Sequence, residues 1–377
     1  MDFGLSEEQK DIQKLARQIL GDRSTPARLA QYDNWAVPRF DRELWKNLAE
    51  AGLLGLAVPE AYGGMGFGFM ELGLLAEEAG RVIAALPLLP HLVGAVLPIA
   101  VAGSEAQKQR LLPGAIAGDI VLSAALEEGP GADPVAPMAT ARAEGGGYRL
   151  SGRKLAVPFA EQAERVLLGA STADGVVVVL VDPRAQGVRL TPVHTSSYEP
   201  QALLELDGVA VAAQDVLAGP RDGANLLDRV FRRVGAAICM HQLGVCDTMM
   251  RMTASYTSER KQFGVPIATF QAVGHRAANC FIDVECLRLC AYEAASLLAE
   301  GREAAVEVDI AKIWAGDTGH RVSYAAQHLH GGAGVDRGNS LWRFCLWARH
   351  NEMTLGPAAA RLASLGKRCA SGEALVA

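Results

Sequence analysis

Several things are missing from this sequence, and each absence excludes something. No run of about 18 apolar residues free of charge occurs in the 377 residues, so no membrane-crossing helix is expected. The net charge is −6, the pI is near 5.8, and no basic run exceeds the pair in "FRRV", which leaves no electrostatic footprint for nucleic acid or an anionic membrane. The seven cysteines are odd in number, all lie from Cys239 onward, and form no CxxC pair, as befits reduced thiols in helices. Cys286 and Cys290 sit four apart with His275 upstream, but that is not the spacing of a zinc site, and no metal is expected. The opening "MDFGLSEEQKDIQ" is acidic and amphipathic, unlike a targeting peptide, so a cytoplasmic location is expected. Acid is scarce near the end: between Asp336 and Glu373 the one carboxylate is Glu352.

What is present divides into three textures. Half of the residues are hydrophobic and 21% are charged, enough for a large core in two or three domains. Residues 1–117 read as helical: Ser6 with Gln9, and Ser104 with Gln107, are capping boxes, and Ile12, Leu15, Ala16 and Ile19 follow at helical spacing. In "FDRELWKNLAEAG", Asp41 is a cap and Gly52 a stop. Residues 118–221 change to short apolar runs such as "GVVVVLVD", parted by turns at 8 to 12 residue intervals, the mark of a small antiparallel sandwich or barrel without cysteine or tryptophan. Residues 222–377 return to helical period in four segments, 222–257, 270–300, 303–330 and 340–368, which predicts a four-helix bundle. The fold class expected is mainly α with a β middle domain. Separate helical and β blocks, without βαβ alternation, argue against a dinucleotide fold of the Rossmann kind.

Two connections in the last block are unusual. "SERKQFGVPIATFQ" ends a helix in a basic pair, an aromatic and a glycine; "QHLHGGAGVD" runs a helix into three glycines. Glycines let a backbone approach something closely, and exposed amides in such a turn favour a phosphate. Each also has an ordinary reading, since Arg260 complements a helix dipole and Gly331 with Gly332 can form a C-cap.

Taken together and in this order, these motifs resemble the acyl-CoA dehydrogenase family. The stretches that carry the likeness are "ERKQFGVPIATFQ", "LHGGAG", "ALEEGPGADP", "YRLSGRKLAV" and "LAVPEAYGGMGFG", and it extends over essentially the whole chain. The resemblance implies the family fold, an N-terminal helical domain, a β-barrel or sandwich and a C-terminal four-helix bundle, and FAD at a subunit interface. It implies that Arg260, Gln262, Phe263 and Gln271 reach the pyrophosphate and adenosine half of a flavin, and that Gly331 and Gly332 admit the same pyrophosphate. His328 stands where the family has a glutamine, with Gln327 one place earlier. Leu126 to Glu128, and Val157 with Pro158, would flank the isoalloxazine ring. The implied reaction is α,β-desaturation of an acyl-CoA thioester, whose oxygen is held by a flavin ribityl hydroxyl and a backbone N–H while a glutamate of raised pKa takes the α-proton. An electron-transfer flavoprotein or similar acceptor is the implied electron partner.

The sequence departs from the family at the glutamate. Counting 24 positions from Gly331 reaches Leu355, and the alternative position, 25 before Glu259, is Val234. Neither is an acid. The arginine that often follows the second is Gly235, the flavin loop is a residue short and lacks its serine, and the usual flavin-screening tryptophan is Ala156. These losses, with "FDRELWKNLAEAG", "FQAVGHRAANCFIDVECLRL" and "HLHGGAGVD", resemble the smaller subunit of the actinobacterial α2β2 dehydrogenases that shorten steroid side chains, where an unlike partner brings the glutamate. Three alternatives stay open: a self-sufficient enzyme or homo-oligomer using Glu352, which on a continuous helix shares nearly the face of Leu355; a non-catalytic scaffold subunit; and a flavin oxidase or nitroalkane-type enzyme on the same fold.

Overall fold

The computed structural model describes residues 4–129 and 131–372. Helix α1 (Glu7–Arg23) begins at the predicted capping box, with the Ser6 hydroxyl accepting from the Gln9 amide, and buries Ile12, Ala16 and Leu20. After α2 (Pro26–Ala30), α3 (Arg42–Glu50) is capped by Asp41, whose carboxylate accepts from the Leu44 amide at 3.1 Å. Helix α4 (Phe69–Arg81) is followed by a stretch of π-type hydrogen bonding, Leu89–Val96, then α5 (Leu97–Ala102) and α6 (Glu105–Ile116), which opens on the second capping box.

Eight strands follow: β1 (Val121–Ala125), β2 (Thr140–Glu144), β3 (Gly147–Pro158), β4 (Ala163–Thr172), β5 (Gly175–Val181), β6 (Val188–Val193), β7 (Gln201–Val211) and β8 (Val216–Ala218). They form one sheet in the order β6-β7-β3-β2-β4-β5-β8, with β1 beside β4. The sheet is not purely antiparallel as expected: β1 runs parallel to β4 from Val121 to Ala125, and Thr140 bridges Ser171 in parallel. A parallel neighbour needs a long connection, and 37 residues separate the end of β1 from the start of β4. Strand β5 is buried from Val176 to Val181, so its run of valines packs on both faces rather than alternating. Leu150, Val166, Leu168, Val177, Val179 and Leu204 are among the core that results.

The last block holds α7 (Gly223–Glu259), α8 (Gln271–Ala299), α9 (Ala305–His330), α10 (Leu341–Met353) and α11 (Ala358–Ala370). The segment read as a single helix over 340–368 is therefore two. The chain gathers into two compact units, one built from the N-terminal segment up to Leu29, Gly73–Ala84 and the chain from Gly235 onward, the other from Ala30–Leu72 and Ala85–Val234. These limits fall inside α4 and α7 and not at the texture changes near 117 and 221. Among the described residues no helix is long and apolar enough to cross a membrane.

Inside the first unit, α4 and α7 cross at glycines. A Cβ on Gly80 would lie 2.0 Å from the His241 carbonyl oxygen, and one on Gly244 would lie 2.0 Å from that of Glu77. The close approach puts three buried acids, Glu77, Glu78 and Asp247, among Arg17, Arg81, Arg251 and Arg288. Arg17 grips Glu78 with two bonds of 2.8 and 2.9 Å, and the Tyr292 hydroxyl donates to Glu77 at 2.7 Å. Burial alone would raise the Asp247 carboxyl, but the arginines outweigh it and hold it below the ordinary range.

Candidate functional site

The first unusual turn is a two-residue hairpin. After α7, β9 (Lys261–Gln262) pairs with β10 (Val265–Pro266) through Phe263 and Gly264, which have φ of 54° and 80°. Positive φ at both central residues is the I′ geometry whose twist suits a tight hairpin. It places a bulky residue in the left-handed region, at a cost of about 1 to 3 kcal/mol, and leaves the Phe263 ring 93% exposed. That ring meets Phe270 edge-on at 6.2 Å. Arg260, Gln262 and Gln271 are exposed around the same turn. The Arg260 guanidinium has no ion-pair partner among the described residues, while the Arg260 main chain is fixed by its amide to the Tyr256 carbonyl at 2.8 Å and by the Ile267 amide to its own carbonyl at 2.8 Å.

The second turn ends α9. Gly331 adopts φ 60°, ψ −138°, and its amide returns to the His328 carbonyl. A Cβ on Gly331 or Gly332 would meet nothing within 4 Å, so packing inside this chain does not require either to lack a side chain. Gly334 differs, because its Cβ would sit 2.8 Å from the Gln327 carbonyl oxygen. His328 is exposed and Gln327 partly buried. The two turns are tied together within the chain: the Tyr256 ring stacks on His330 with centroids 4.2 Å apart and planes 18° apart, and its hydroxyl donates to the His330 carbonyl at 3.3 Å. The Arg337 and Arg343 guanidinium groups lie 4.7 and 4.8 Å from the Trp342 ring centroid, and the indole N–H donates to the Arg337 carbonyl. A free guanidinium, open glycine backbone and an exposed aromatic suit a diphosphate joined to a nucleoside.

In the β region, the Glu128 side chain already has partners inside the chain. Glu128 is buried, and its carboxylate accepts from Lys154 Nζ at 2.6 Å, from the Ala139 amide at 3.0 Å and from the Met138 amide. The side chain is an internal clamp between the loop after β1 and strand β3, with both oxygens occupied, and with Lys154 it also lines a small pocket. Burial would raise the Glu128 carboxyl, but Lys154 and the two amides hold it below the ordinary range, while burial pushes the Lys154 ammonium down. Leu126 lines a small pocket together with Ala132, Pro134, Pro137 and Leu227. The Pro158 carbonyl accepts from the Ser123 hydroxyl, between two residues of positive φ, Ala156 at 48° and Phe159 at 50°. His91, buried nearby in sequence space on the π-type stretch, accepts from the Leu122 amide through Nδ1 at 2.9 Å and reaches the Ala115 carbonyl through Nε2 at 3.3 Å. Only the neutral ring protonated on Nε2 satisfies both, and burial lowers its pKa to about 4.

The two positions where the resemblance leads one to expect a base are both apolar and buried. Val234 is 8% exposed on α7 and Leu355 is 6% exposed. Leu355 is not on a helix: α10 stops at Met353, Leu355 takes φ 57°, and Gly356 at φ 96° and Pro357 precede α11. The helical-face relation between Glu352 and Leu355 therefore does not hold. The Leu355 carbonyl accepts from the Arg361 guanidinium, which also pairs with Asp309 at 3.0 Å. Fully buried Lys312 closes the end of α10, donating to the carbonyls of Asn351 at 2.7 Å and Glu352 at 3.0 Å. The Glu352 carboxylate is paired with Arg349 on its own helix.

Helices, one sheet, then helices whose ends carry two exposed, phosphate-suited turns make the architecture of a flavin-dependent oxidoreductase. The chain belongs to the acyl-CoA dehydrogenase family: residues 6–119 match the family's N-terminal domain and residues 221–370 its C-terminal domain. It is 37% identical over 382 residues to the acyl-CoA dehydrogenase FadE27 of Mycobacterium tuberculosis, covering 99% of this chain and 100% of that one. Among solved structures it is similar to a variant of the Tcur3481–Tcur3483 steroid ACAD, with TM-score 0.91, 40% identity and coverage of 97% and 98%. It is likewise similar to the ChsE4–ChsE5 complex of Mycobacterium tuberculosis, with TM-score 0.92, 36% identity and coverage of 99% and 100%.

Proposed function

We propose that this chain is one subunit of a heteromeric, FAD-dependent acyl-CoA dehydrogenase whose unlike partner supplies the catalytic glutamate, acting in the cytoplasm on a bulky acyl-CoA such as a steroid side-chain thioester. The observation that carries the reading is the pair of silent base positions. Leu355 and Val234 cannot accept a proton, and the nearest carboxylate in sequence to Leu355, Glu352, is engaged by Arg349. Two relatives of similar length are described as a steroid ACAD and as a two-component complex, which supports both the substrate class and the mixed assembly.

The residues present fit FAD. Arg260 offers a fixed cationic fork, Gly331 and Gly332 leave space where any side chain would intrude, and Gln262 and Gln271 stand exposed beside the hairpin. When bound, the flavin supplies the acceptor for the β-hydrogen of the substrate, leaving electrons for an electron-transfer flavoprotein or similar acceptor. This chain's own part is to hold the diphosphate, to present Phe263 to a neighbouring subunit, and to fix the Leu355 joint through Arg361. The test is to produce the chain alone and together with a family member that carries the glutamate, and to record flavin absorbance and dye reduction by acyl-CoA. Activity is expected only from the mixture; full activity of the lone chain would sink the proposal.

A further inference from the structure

We infer that Tyr256 is a positioning residue for the flavin diphosphate, acting by stacking on His330 so that the Arg260 hairpin and the Gly331–Gly332 turn are set at one fixed separation. This deepens the proposed function and rests on its placement of FAD.

Arg260 follows α7 and the two glycines follow α9, so neither helix alone sets their separation. The guanidinium sits on a flexible stem, and Gly331 and Gly332 have open space where a Cβ would stand. Tyr256 supplies the brace. Its carbonyl accepts the Arg260 amide at 2.8 Å, one helical turn along α7, and its ring and hydroxyl both engage His330, the residue directly before Gly331. His330 is in turn locked: it is buried, and because a carbonyl can only accept, the 2.9 Å contact from Nδ1 to the Ala326 oxygen fixes the proton on Nδ1 and hence the plane of the ring. The next turn is closed by Gly334, which has no room for a side chain against Gln327. A ligand that must touch both turns at once gains affinity when their separation is set beforehand, because the ordering cost is met in folding and not in binding.

The experiment uses the complex with the partner subunit, stripped of FAD and titrated with it by flavin fluorescence, with the apo-complex melting temperature measured in parallel. Tyr256→Leu removes stack and hydroxyl and is expected to weaken FAD by about tenfold, and Tyr256→Phe, which keeps the stack, by about threefold. The loss of FAD affinity is expected to be out of proportion to any change in apo melting temperature. Arg260→Ala serves as the direct contact and should weaken FAD at least as much. If Tyr256→Leu keeps wild-type affinity while Arg260→Ala loses it, the positioning role is overturned and the proposed function stands; if Arg260→Ala also changes nothing, the flavin assignment falls and takes this inference with it. A loss of affinity that merely tracks a lower apo melting temperature assigns Tyr256 a structural role and overturns the inference. Should the leucine variant not assemble, wild-type affinity in Tyr256→Phe is enough to reject it.

Discussion

His91 spends its whole hydrogen-bonding capacity on two main-chain groups that accept only the neutral ring. An unfolded chain takes up a proton on this residue near pH 6.5, whereas the folded one resists until about 4. The unfolded state therefore binds more protons between those values, and stability is present above pH 6.5 and lost as pH falls toward 4, by about 3 kcal/mol when complete. Glu128, also depressed, adds to the loss in the same direction at lower pH. Urea unfolding at neutral pH and near pH 4.5 should show this slope, and His91→Gln should flatten it; an unchanged slope would place the titration elsewhere. Glu352 gives the opposite expectation. Its partner Arg349 is on the same helix and partly exposed, and such a pair contributes about 0 to 1 kcal/mol. In the assembled complex Glu352→Gln should leave turnover within about twofold of wild type, since the group does no proton transfer; a loss of a hundredfold or more would return it to the role of base.

Elements differ in how far their sequence announces them. The capping boxes at Ser6 and Ser104 were legible because cap, third residue and first buried turn all lie within a few positions. The ends of α7, α8 and α9 fall within two residues of the sequence reading for the same reason. The break between α10 and α11 was not read, because apolar residues continue at helical spacing through Leu355 to Leu362; the Gly-Pro pair at 356–357 was the available signal. The parallel seating of β1, and the Glu128–Lys154 pair 26 residues apart, depend on long-range register that local pattern does not carry. The α4–α7 crossing is of the same kind. Nothing in the local pattern marks Gly80 or Gly244, yet each faces a carbonyl of the other helix. Gly80→Ala should destabilise the protein by about 2 kcal/mol or more, beyond any gain in helix propensity, because two backbones must separate. A denaturant midpoint at or above wild type would show that the crossing can relax.

At the scale of the whole molecule, the first unit carries an exposed apolar stripe on α8, Phe281, Ile282 and Leu289, each more than half exposed, besides the projecting Phe263. Positions seven and eight apart share one helix face, so the stripe is continuous. A lone chain should self-associate as its concentration rises, and an equimolar partner subunit should abolish this in sedimentation velocity; a monomer at every concentration would leave the stripe without an occupant. The two turns at 260–271 and 327–336 are visible in sequence because each is a short motif of local signals. What sequence could not show is that α1 belongs with the C-terminal helices.

That last arrangement sets an order of events during synthesis. The acids Glu77 and Glu78 leave the ribosome long before Arg288 and Tyr292, which complete their surroundings. At about 5 to 20 residues per second, the gap is on the order of 10 to 40 seconds. Before that interval ends, Ala30–Leu72 and Ala85–Val234 have fully emerged, while Arg17 and the α4 acids still await the second half of their cluster. A nascent chain stalled after residue 234 would hold a finished sheet and an N-terminal helix with only α4, through Arg17 and Glu78, to dock on.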